Sequence, residues 1–426
     1  MGVTFFDEFQ VLDIKIEDGI CQGVIAYELA TGDIHIFETR AVTFATGGFG
    51  KIFKVSSNAH SLTGDGPGIL YQKGIPLEDM EFYQFHPTGI YRLGILLSEA
   101  ARGEGGILRN KDGERFMERY APSIKDLAPR DMVSRAIATE ISAGNGAGPD
   151  SDYVYLDLTH LGAETIKKKL PDITDFVRTY VKIEPIEEPI PVQPTAHYAM
   201  GGIPTDVHSR VLSDEKGTVL PGVYAAGEAA CVSVHGANRL GTNSLLDIVV
   251  FGKRAGQSMV DYVTQTKPNT ISDSASDDLS KKIQNLIDKE HTDEFSVANI
   301  RKDLQESMEE NAKIFRTKET LEKQTEILEE LRERYENVTI FDKSKVHNSE
   351  LVEAIELDYL LDMSEATVAS ALARNESRGA HSRQDFPDRD DTNFMKHSFA
   401  FKKDNTANLK YKDVELGKYE PMERKY

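Results

Sequence analysis

The chain has 426 residues, of which 39% are hydrophobic, and its formal charge is −20 at pH 7. It is long enough to bury a sizeable core and too long for one ordinary domain, so we expect two to four structural units. The acidic balance argues against nucleic acid as a partner, because binding to a phosphate backbone depends on a basic protein surface.

The two cysteines, Cys21 and Cys231, form no CxxC pair. Isolated thiols build neither a disulfide framework nor an iron–sulfur cluster within one chain, and we expect no metal site. The N-terminus lacks the basic and apolar regions of a signal peptide. The best apolar run, residues 245–250, is far too short to span a bilayer and contains Asp247, so we expect no direct membrane insertion.

Residues 3–46 are predicted to form a β-meander with turns at Asp18-Gly19 and Gly32-Asp33. The four predicted strands cover residues 9–16, 23–29, 34–37 and 41–45. The last strand ends at Thr46-Gly47-Gly48, and paired glycines let the backbone approach a ligand closely, as cofactor-binding turns require. No GxGxxG motif is present, since Gly64-Asp65-Gly66-Pro67-Gly68 has the wrong spacing.

The remaining chain divides into a mixed region, a helical region and a tail. Residues 82–194 mix short strands and helices and end in a proline-rich stretch, which indicates an inserted domain that closes over a site. A polar linker follows at 264–278. Apolar residues then recur at helical spacing, which predicts a three-helix bundle and a further helix over 351–372. The tail after Asn375 is predicted to be irregular and to pack back onto the body.

Two histidines lie in restricted surroundings. His86 precedes a proline in Gln84-Phe85-His86-Pro87-Thr88-Gly89, and the proline restricts the local backbone. His197 lies close to the glycine pair Gly201-Gly202. A lone histidine is more often a structural group than a functional one, so each motif alone is weak evidence.

Two further segments combine acidic and basic groups. In Ser98-Glu99-Ala100-Ala101-Arg102, Glu99 and Arg102 are three residues apart and meet if this stretch is helical. The simplest interpretation of such a pair is a surface ion pair. Arg130 follows Pro129 at the start of a helical pattern, where a proline is common for structural reasons alone.

The segment from Val234 to Asp247 is the most informative in the chain. Arg239 offers a planar fork that matches a carboxylate, and Gly236 and Gly241 permit tight turns. Asn243 or Ser244 is expected to cap the following helix, whose N-terminus then faces negative charge. Two anions could be held together here, and the acidic turn at Glu228 lies just upstream.

Taken together and in this order, these motifs resemble the flavoprotein family of succinate dehydrogenases and fumarate reductases. The resemblance runs from Ala45-Thr46-Gly47-Gly48 to the tail. It implies a mixed α/β fold in five parts: residues 1–81 and 195–262 form an incomplete FAD-binding domain, 82–194 a capping domain, 263–375 a helical domain and 376–426 a C-terminal domain. Full-length members begin with a glycine fingerprint, followed in many of them by a histidine that bonds covalently to the flavin, so the chain is expected to be the C-terminal two-thirds or so of such a protein.

The resemblance also implies residue roles. The two carboxylates of a C4 dicarboxylate would be held by His86, Ser98, His197 and Arg239. Arg130 would exchange a proton at the substrate carbon, with Glu99 and Arg102 as its relay to solvent. FAD would be contacted by Gly47, Gly48, Asp65, Glu228, Ser244 and Leu245. Ser98 stands where threonine is usual and keeps the hydroxyl, whereas Ala100-Ala101 replaces a usual Gly-Cys pair.

The implied function is that of a succinate dehydrogenase flavoprotein subunit, in which hydride transfer from succinate to FAD yields fumarate. Electrons would pass to an iron–sulfur subunit, to membrane anchor subunits and to quinone, at the cytoplasmic face of the bacterial inner membrane. Three alternatives stay open: a fumarate reductase flavoprotein, L-aspartate oxidase, and a non-catalytic fragment that acts as a binding module.

Overall fold

A computed structural model describes residues 2–268, 270–404 and 406–422. Asn269 of the predicted polar linker lies outside the described residues, as do Asn405 and residues 423–426 of the predicted C-terminal domain. The fold is mixed α/β, as expected. None of the helices in the described ranges is both long and apolar enough to cross a bilayer.

The first three strands form the predicted antiparallel meander, in the order β1 (Phe9–Glu17), β2 (Ile20–Glu28) and β3 (Ile34–Glu38). The first two are joined by a two-residue turn in which Asp18 and Gly19 both have positive φ, of 50° and 74°. Such turns match the right-handed twist of paired strands. The local sequence signal and the structure therefore agree for these strands.

The prediction that a fourth strand continues the meander is wrong. Strand β4 (Val42–Phe44) pairs in parallel with β12 (Val219–Ala225), whose other neighbour is β11 (Arg210–Leu212). The carboxyl ends of parallel strands lie at the same edge of a sheet. The turn that follows β4 therefore meets the turn that follows β12, and this brings together two segments that are far apart in the sequence.

A four-stranded sheet forms the middle of the chain. Its strands are β6 (Tyr83–Ile90), β7 (Ile107–Arg109), β8 (Val154–Asp157) and β9 (Ile190–Ala199), in the order β6-β9-β8-β7. Its helices are α2 (Ala100–Gly103), α3 (Met117–Tyr120), α4 (Arg130–Ser142), α5 (Ala163–Lys169) and α6 (Pro171–Tyr180). An apolar core runs from Ile90 to Val192 within this region. That separate core supports an inserted domain, whose limits stay a prediction.

Shorter elements connect this region to the rest of the fold. They are α1 (Asp65–Gln72), β5 (Leu77–Glu78), β10 (Ile203–Pro204), β13 (Ala230–Cys231) and α7 (Asn243–Gln265). Strands β10 and β13 pair in parallel. Helix α7 buries Asp247 and Ala255, while apolar side chains of its first half, among them Leu245 and Val249, are exposed.

The predicted helices of the C-terminal part are present as α8 (Asp277–Asp288), α9 (Val297–Asn311), α10 (Lys318–Glu336) and α11 (Ser349–Ala373). Helix α11 is buried on nearly every side and packs against α1, α9 and α10. A helix that is apolar all round belongs in a core. The four helices are confirmed, and α11 joins them to α1.

The prediction of an irregular tail is wrong, although the tail does pack back onto the body. It contains β15 (Ser382–Arg383), which pairs with β14 (Phe315–Arg316), the short helix α12 (Asp391–Phe394), and a hairpin of β16 (Lys396–Lys403) and β17 (Thr406–Asp413). Strand β16 extends the hairpin onto β5. Backbone pairing to β5, which local charge patterns do not reveal, orders this segment.

Candidate active site

The turns that follow β4 and β12 meet at Gly48 and Glu228. A side chain at Gly48 would place its Cβ 2.5 Å from Glu228 Oε1, so any larger residue there would displace the Glu228 side chain. The Ala199 N–H donates to the same carboxylate oxygen at 3.0 Å. Burial raises the pKa of Glu228 to about 7, so this carboxyl group can carry a proton near neutral pH.

Two neighbouring cavities share the side chains of Leu96 and His197. The first has a volume of about 280 Å³ and is also lined by Ser57, Asn58 and Tyr198. Four further lining residues were assigned to flavin or substrate from the sequence: Glu228, Arg239, Ser244 and Leu245. The second, of about 730 Å³, contains His86, Ser98, Glu99, Arg130 and Gly241. Three of the six predicted flavin contacts thus line the first cavity together with Arg239. Most of the predicted substrate and proton-transfer residues line the second, with the exception of Arg239 and Arg102.

Helix α7 begins beside the first cavity. Its N-cap is Thr242, with φ of 70°, and no side chain caps the helix. The expectation that Asn243 or Ser244 caps it is therefore wrong. Ser244 Oγ instead lies 3.4 Å from Arg239 Nη1. The uncapped N-terminus presents the positive end of the helix dipole to this region.

Arg130 begins helix α4 and contacts the second cavity. Its Nε and Nη2 each lie 3.1 Å from Glu99 Oε2, and its Nη1 donates to Gln84 Oε1 at 3.1 Å. Gln84 Nε2 in turn donates to the backbone oxygen of Arg239 at 2.7 Å. The Gln84 side chain therefore links the segment that contains Arg130 to the segment that contains Arg239.

Arg239 is buried, with 4% of its surface exposed, and no carboxylate of the described residues lies within ion-pair distance of it. Its Nε atom has no hydrogen-bond partner among those residues. The guanidinium lies 4.3 Å from the centre of the Tyr198 ring. Burial, and then the nearby charge of Arg130, lower the pKa of Arg239. An uncompensated buried cation is costly, which indicates an anionic ligand.

Arg102 lies close to Glu99, as their spacing of three residues predicted for a helix. Its Nη2 is 3.8 Å from Glu99 Oε1, and its Nη1 donates to the backbone oxygen of Asp126. Within the described ranges, Arg102 Nε and Nη2 lack hydrogen-bond partners. Burial lowers the pKa of Arg102. Glu99 thus lies between two guanidinium groups and is itself partly exposed to solvent.

The antiparallel register of β6 and β9 brings the two predicted histidines together, with ring centres 5.3 Å apart. The Thr88 N–H donates to His86 Nδ1 at 3.3 Å, so the proton of the neutral His86 ring is on Nε2. Burial and the charge of Arg130 hold the pKa of His86 well below its usual range. His86 is therefore a neutral hydrogen-bond donor.

Three predicted flavin or substrate contacts are less closely connected to the site. Asp65 accepts hydrogen bonds from Thr63 Oγ1 at 2.5 Å and Gln10 Nε2 at 2.6 Å, and it lines neither cavity. Gly47 has a positive φ of 75° and packs near Leu62. Ser98 is exposed, and its Oγ accepts from the Ala100 N–H at 3.3 Å. Their roles stay predictions.

The sequence interpretation did not assign roles to Gln84, Tyr198 or Ser57, although all three contact predicted site residues. It also interpreted Gly241 as a turn residue. Its φ is not positive, and a Cβ there would lie 3.1 Å from Glu99 Oε2 and 3.4 Å from Arg130 Nη2. Gly241 therefore leaves room for that ion pair. The neighbouring histidine motifs were the available signal for Gln84 and Tyr198.

Comparison with known families identifies the chain. Residues 1–245 match the FAD binding domain family, and residues 301–426 match the C-terminal domain of fumarate reductase flavoproteins. The chain belongs to the succinate dehydrogenase and fumarate reductase flavoprotein family. The match to an FAD-binding domain identifies FAD as its cofactor.

Individual members of the family are similar over almost the whole chain. It is 48% identical to the succinate dehydrogenase flavoprotein subunit of Rickettsia bellii over 403 residues, which are 93% of this chain and 67% of that protein. It is 46% identical to a mitochondrial succinate dehydrogenase [ubiquinone] flavoprotein subunit of Oryza sativa, covering 97% of this chain and 66% of that protein. The chain thus spans about two thirds of the length of these relatives.

The fold agrees with a solved structure of the same family. An E. coli quinol fumarate reductase flavoprotein chain superposes with a TM-score of 0.91 at 39% identity, covering 98% of this chain and 73% of that chain. The residues present fit FAD, because Gly48 leaves space beside Glu228 and the first cavity contains the orphaned Arg239 Nε and the start of α7.

Proposed function

We propose that the chain is the flavoprotein of a succinate dehydrogenase and oxidises succinate to fumarate with FAD. The observation that carries this proposal is Arg239, a buried guanidinium without a carboxylate partner among the described residues, beside a second cavity that contains Arg130. The named succinate dehydrogenase relatives, at 46% and 48% identity, support the same conclusion.

Recognition of a dicarboxylate follows from the charges and donors of the two cavities. The Arg239 fork can accept one carboxylate in a bidentate manner. The Nε2–H of His86 and the hydroxyl of Ser98 lie in the adjacent cavity and offer donors to a second carboxylate. Holding both ends of a four-carbon acid fixes its central carbons, and this orientation lowers the entropic part of the barrier.

Proton transfer is assigned to Arg130, Glu99 and Arg102. Arg130 faces the cavity and contacts Glu99, which is partly exposed and so provides a route to solvent. Arg102 and Arg130 both lie close to Glu99, with nitrogen–oxygen distances of 3.8 and 3.1 Å. FAD, when bound, supplies the acceptor for the hydride. The chain's own residues position the dicarboxylate, exclude water and move the proton at the adjacent carbon.

We also propose partners and location from the relatives. Their names describe a subunit, and the mitochondrial relative is named for ubiquinone. We therefore assign this chain an iron–sulfur subunit as electron acceptor, and through it membrane anchor subunits, with peripheral attachment at the cytoplasmic face of a bacterial inner membrane. Fumarate reduction is the second candidate, because the fold matches a quinol fumarate reductase and the same groups serve both directions.

The test uses the purified chain supplied with FAD and succinate, with an artificial dye as electron acceptor. Arg130→Lys keeps one positive charge but loses the fork that contacts Glu99 and Gln84 together, so dye reduction should fall by at least about 100-fold with flavin still bound. Arg135→Lys is the matched control. Arg135 lies on the same helix, pairs with Asp131 and lines neither cavity.

Arg135→Lys should retain nearly full activity. Equal rates for the Arg130→Lys variant and the wild type would remove Arg130 from the mechanism. A wild-type chain that binds FAD but neither oxidises succinate nor reduces fumarate would contradict the proposed function itself.

A further inference from the structure

Tyr198 contacts Arg239 through the face of its aromatic ring. The Cζ atom of the guanidinium group lies 4.3 Å from the ring centre. Both residues are buried, with 5% and 4% of their surface exposed, and both line the first cavity. The negative face of an aromatic ring attracts a cation, and the attraction is stronger when the two groups are shielded from water. Tyr198 is therefore a neutral partner of the buried Arg239 charge.

A bulge in β9 lets two consecutive residues contact Arg239. Tyr198 pairs with Gln84 of β6, and Ala196 pairs with the very next residue of that strand. His197 is therefore an extra residue between the two pairs. Side chains of a regular strand point alternately to opposite faces, and a bulge breaks this alternation. His197 Nε2 accordingly lies 3.0 Å from Arg239 Nη2, while the guanidinium group lies over the Tyr198 ring.

Further contacts fix the position of the Tyr198 ring. Its hydroxyl oxygen lies 3.1 Å from His235 Nε2 and 3.4 Å from Asp247 Oδ2, in the first turns of α7. The ring also packs with Phe82 in a small apolar cluster. Burial, followed by the charges of nearby carboxylates, raises the pKa of Tyr198, so the hydroxyl keeps its proton and the ring stays neutral. The guanidinium group therefore lies against a ring whose position and charge are both fixed.

A neutral ring and a carboxylate would have different effects on an anionic ligand. A carboxylate paired with Arg239 would cancel its charge and would compete with the carboxylate of the ligand. An aromatic ring stabilises the same cation but adds no negative charge to the site. The partner that the fold supplies thus offsets part of the cost of burying Arg239 and leaves its charge to be compensated by the ligand.

We propose that Tyr198 is a positioning residue that determines the affinity for the dicarboxylate: its ring holds Arg239 by a cation–π contact and leaves the positive charge available to one carboxylate of the ligand. Tyr198 acts through Arg239, and proton transfer stays assigned to Arg130. This inference rests on the proposed function.

The experiment varies the electron density of the ring while its shape stays nearly constant. Tyr198 is replaced by phenylalanine that contains zero, one, two or three fluorine atoms, because each fluorine withdraws electron density from the ring face and weakens its attraction for a cation. Tyr198→Leu removes the ring. Affinity for succinate is measured by calorimetry in the presence of FAD.

The matched control is the same fluorine series at Phe116. This ring is fully buried and lies near another aromatic ring, that of Tyr120. Among the described residues, no Lys or Arg side chain lies over the Phe116 ring. Fluorination at this position therefore tests the effect of fluorine on packing alone.

Tyr198→Phe keeps the ring, so it should bind succinate within about threefold of the wild type, whereas Tyr198→Leu should bind it at least about tenfold more weakly. The logarithm of Kd should rise in similar steps with each fluorine at position 198, by about tenfold over the whole series. The series at Phe116 should leave Kd unchanged. A role of Tyr198 in packing alone would give no such dependence on the electron density of the ring.

A second measurement requires no succinate. The free energy of unfolding in urea should also fall with each fluorine at position 198, because the buried cation loses part of its stabilisation. This dependence should vanish in Arg239→Met, which removes the cation.

Four results would overturn the inference: a succinate affinity of Tyr198→Leu equal to that of the wild type, a Tyr198→Phe variant that binds as weakly as Tyr198→Leu, a Kd that does not change along the fluorine series at position 198, or a fluorine dependence of unfolding that persists in Arg239→Met. A wild-type chain that binds no succinate would instead refute the proposed function. The unfolding measurements then decide separately whether the ring holds Arg239.

Discussion

The buried ion pair between Arg374 and Glu81 lies beside β6, the strand that contains Gln84 and His86. Arg374 Nε lies 2.5 Å from Glu81 Oε1, and Nη1 lies 3.0 Å from Glu376 Oε1. The three side chains are at most 1% exposed. Glu81 is close to the start of β6, which contains Gln84 and therefore one side of the candidate active site.

Arg374→Leu should destabilise the fold by about 3 kcal/mol, the lower end of the range of roughly 3 to 5 kcal/mol for removing one partner of a buried pair. Glu376 keeps Arg378, whose Nε and Nη2 lie 2.7 and 2.9 Å from it, so Glu376 remains compensated. Among the described residues, Glu81 keeps the Ser398 hydroxyl, at 2.7 Å, and the more distant charge of Arg316. Most of the expected loss of stability therefore comes from Glu81, which is left buried without its ion-pair partner.

The assay is urea unfolding followed by circular dichroism, with the free energy of unfolding extrapolated to water. Arg374→Lys should lose less than Arg374→Leu because it keeps the charge. The double variant Arg374→Leu/Glu81→Leu should be more stable than Arg374→Leu, because no uncompensated charge remains. A loss below about 1 kcal/mol in Arg374→Leu, or a double variant less stable than both single variants, would refute this reasoning.

Two further outcomes are expected. Gly48→Ala should weaken FAD binding at least tenfold by displacing Glu228, as measured by quenching of flavin fluorescence, whereas Gly252→Ala, with open space around its Cβ, should not. The free energy of unfolding should fall as the pH rises from about 6.5 to 9. Burial opposes the charged form of His397, but the hydrogen bond to Asp79 and the charges of Asp79 and Glu78 together outweigh it and raise the pKa to about 9. These contacts therefore stabilise the fold below pH 6.5, and that contribution is lost as the pH rises through 9. It is at most roughly 3 kcal/mol. Urea unfolding across this pH range checks it, because the loss of stability should be smaller in His397→Gln than in the wild type.

Local patterns predicted the elements whose geometry depends on nearby residues. The Asp18-Gly19 turn and the helical spacing of apolar residues in α8 to α11 were sufficient to place those elements. The pairing of β4 with β12, and of β16 with β5, could not be predicted because each partner is distant in the sequence and no local period identifies it. The sequence therefore predicted which residues form strands better than it predicted which strands pair with each other.

The same distinction applies to the candidate site. Arg130, Arg239 and the two histidines were recognised because their residue types occur beside glycine or proline in unusual motifs. Ser57 has no such signature, and the motif around Gln84 drew attention to His86 alone. Gln84 matters because the register of β6 on β9 and the path of the chain before α7 place it between two arginines. Their roles depend on tertiary contacts, which the sequence alone does not specify.

The charges of the site explain why its ligand should be doubly negative. Both histidines are neutral, because burial and the nearby arginines lower their pKa values. Glu99 compensates one of the three cations Arg102, Arg130 and Arg239, which leaves two positive charges around the shared side chain of His197. A monocarboxylate would leave one buried cation without a counter-ion, whereas a dicarboxylate compensates both. Selectivity for a C4 dicarboxylate over a monocarboxylate of equal length thus follows from the same uncompensated Arg239 that supports the proposed function.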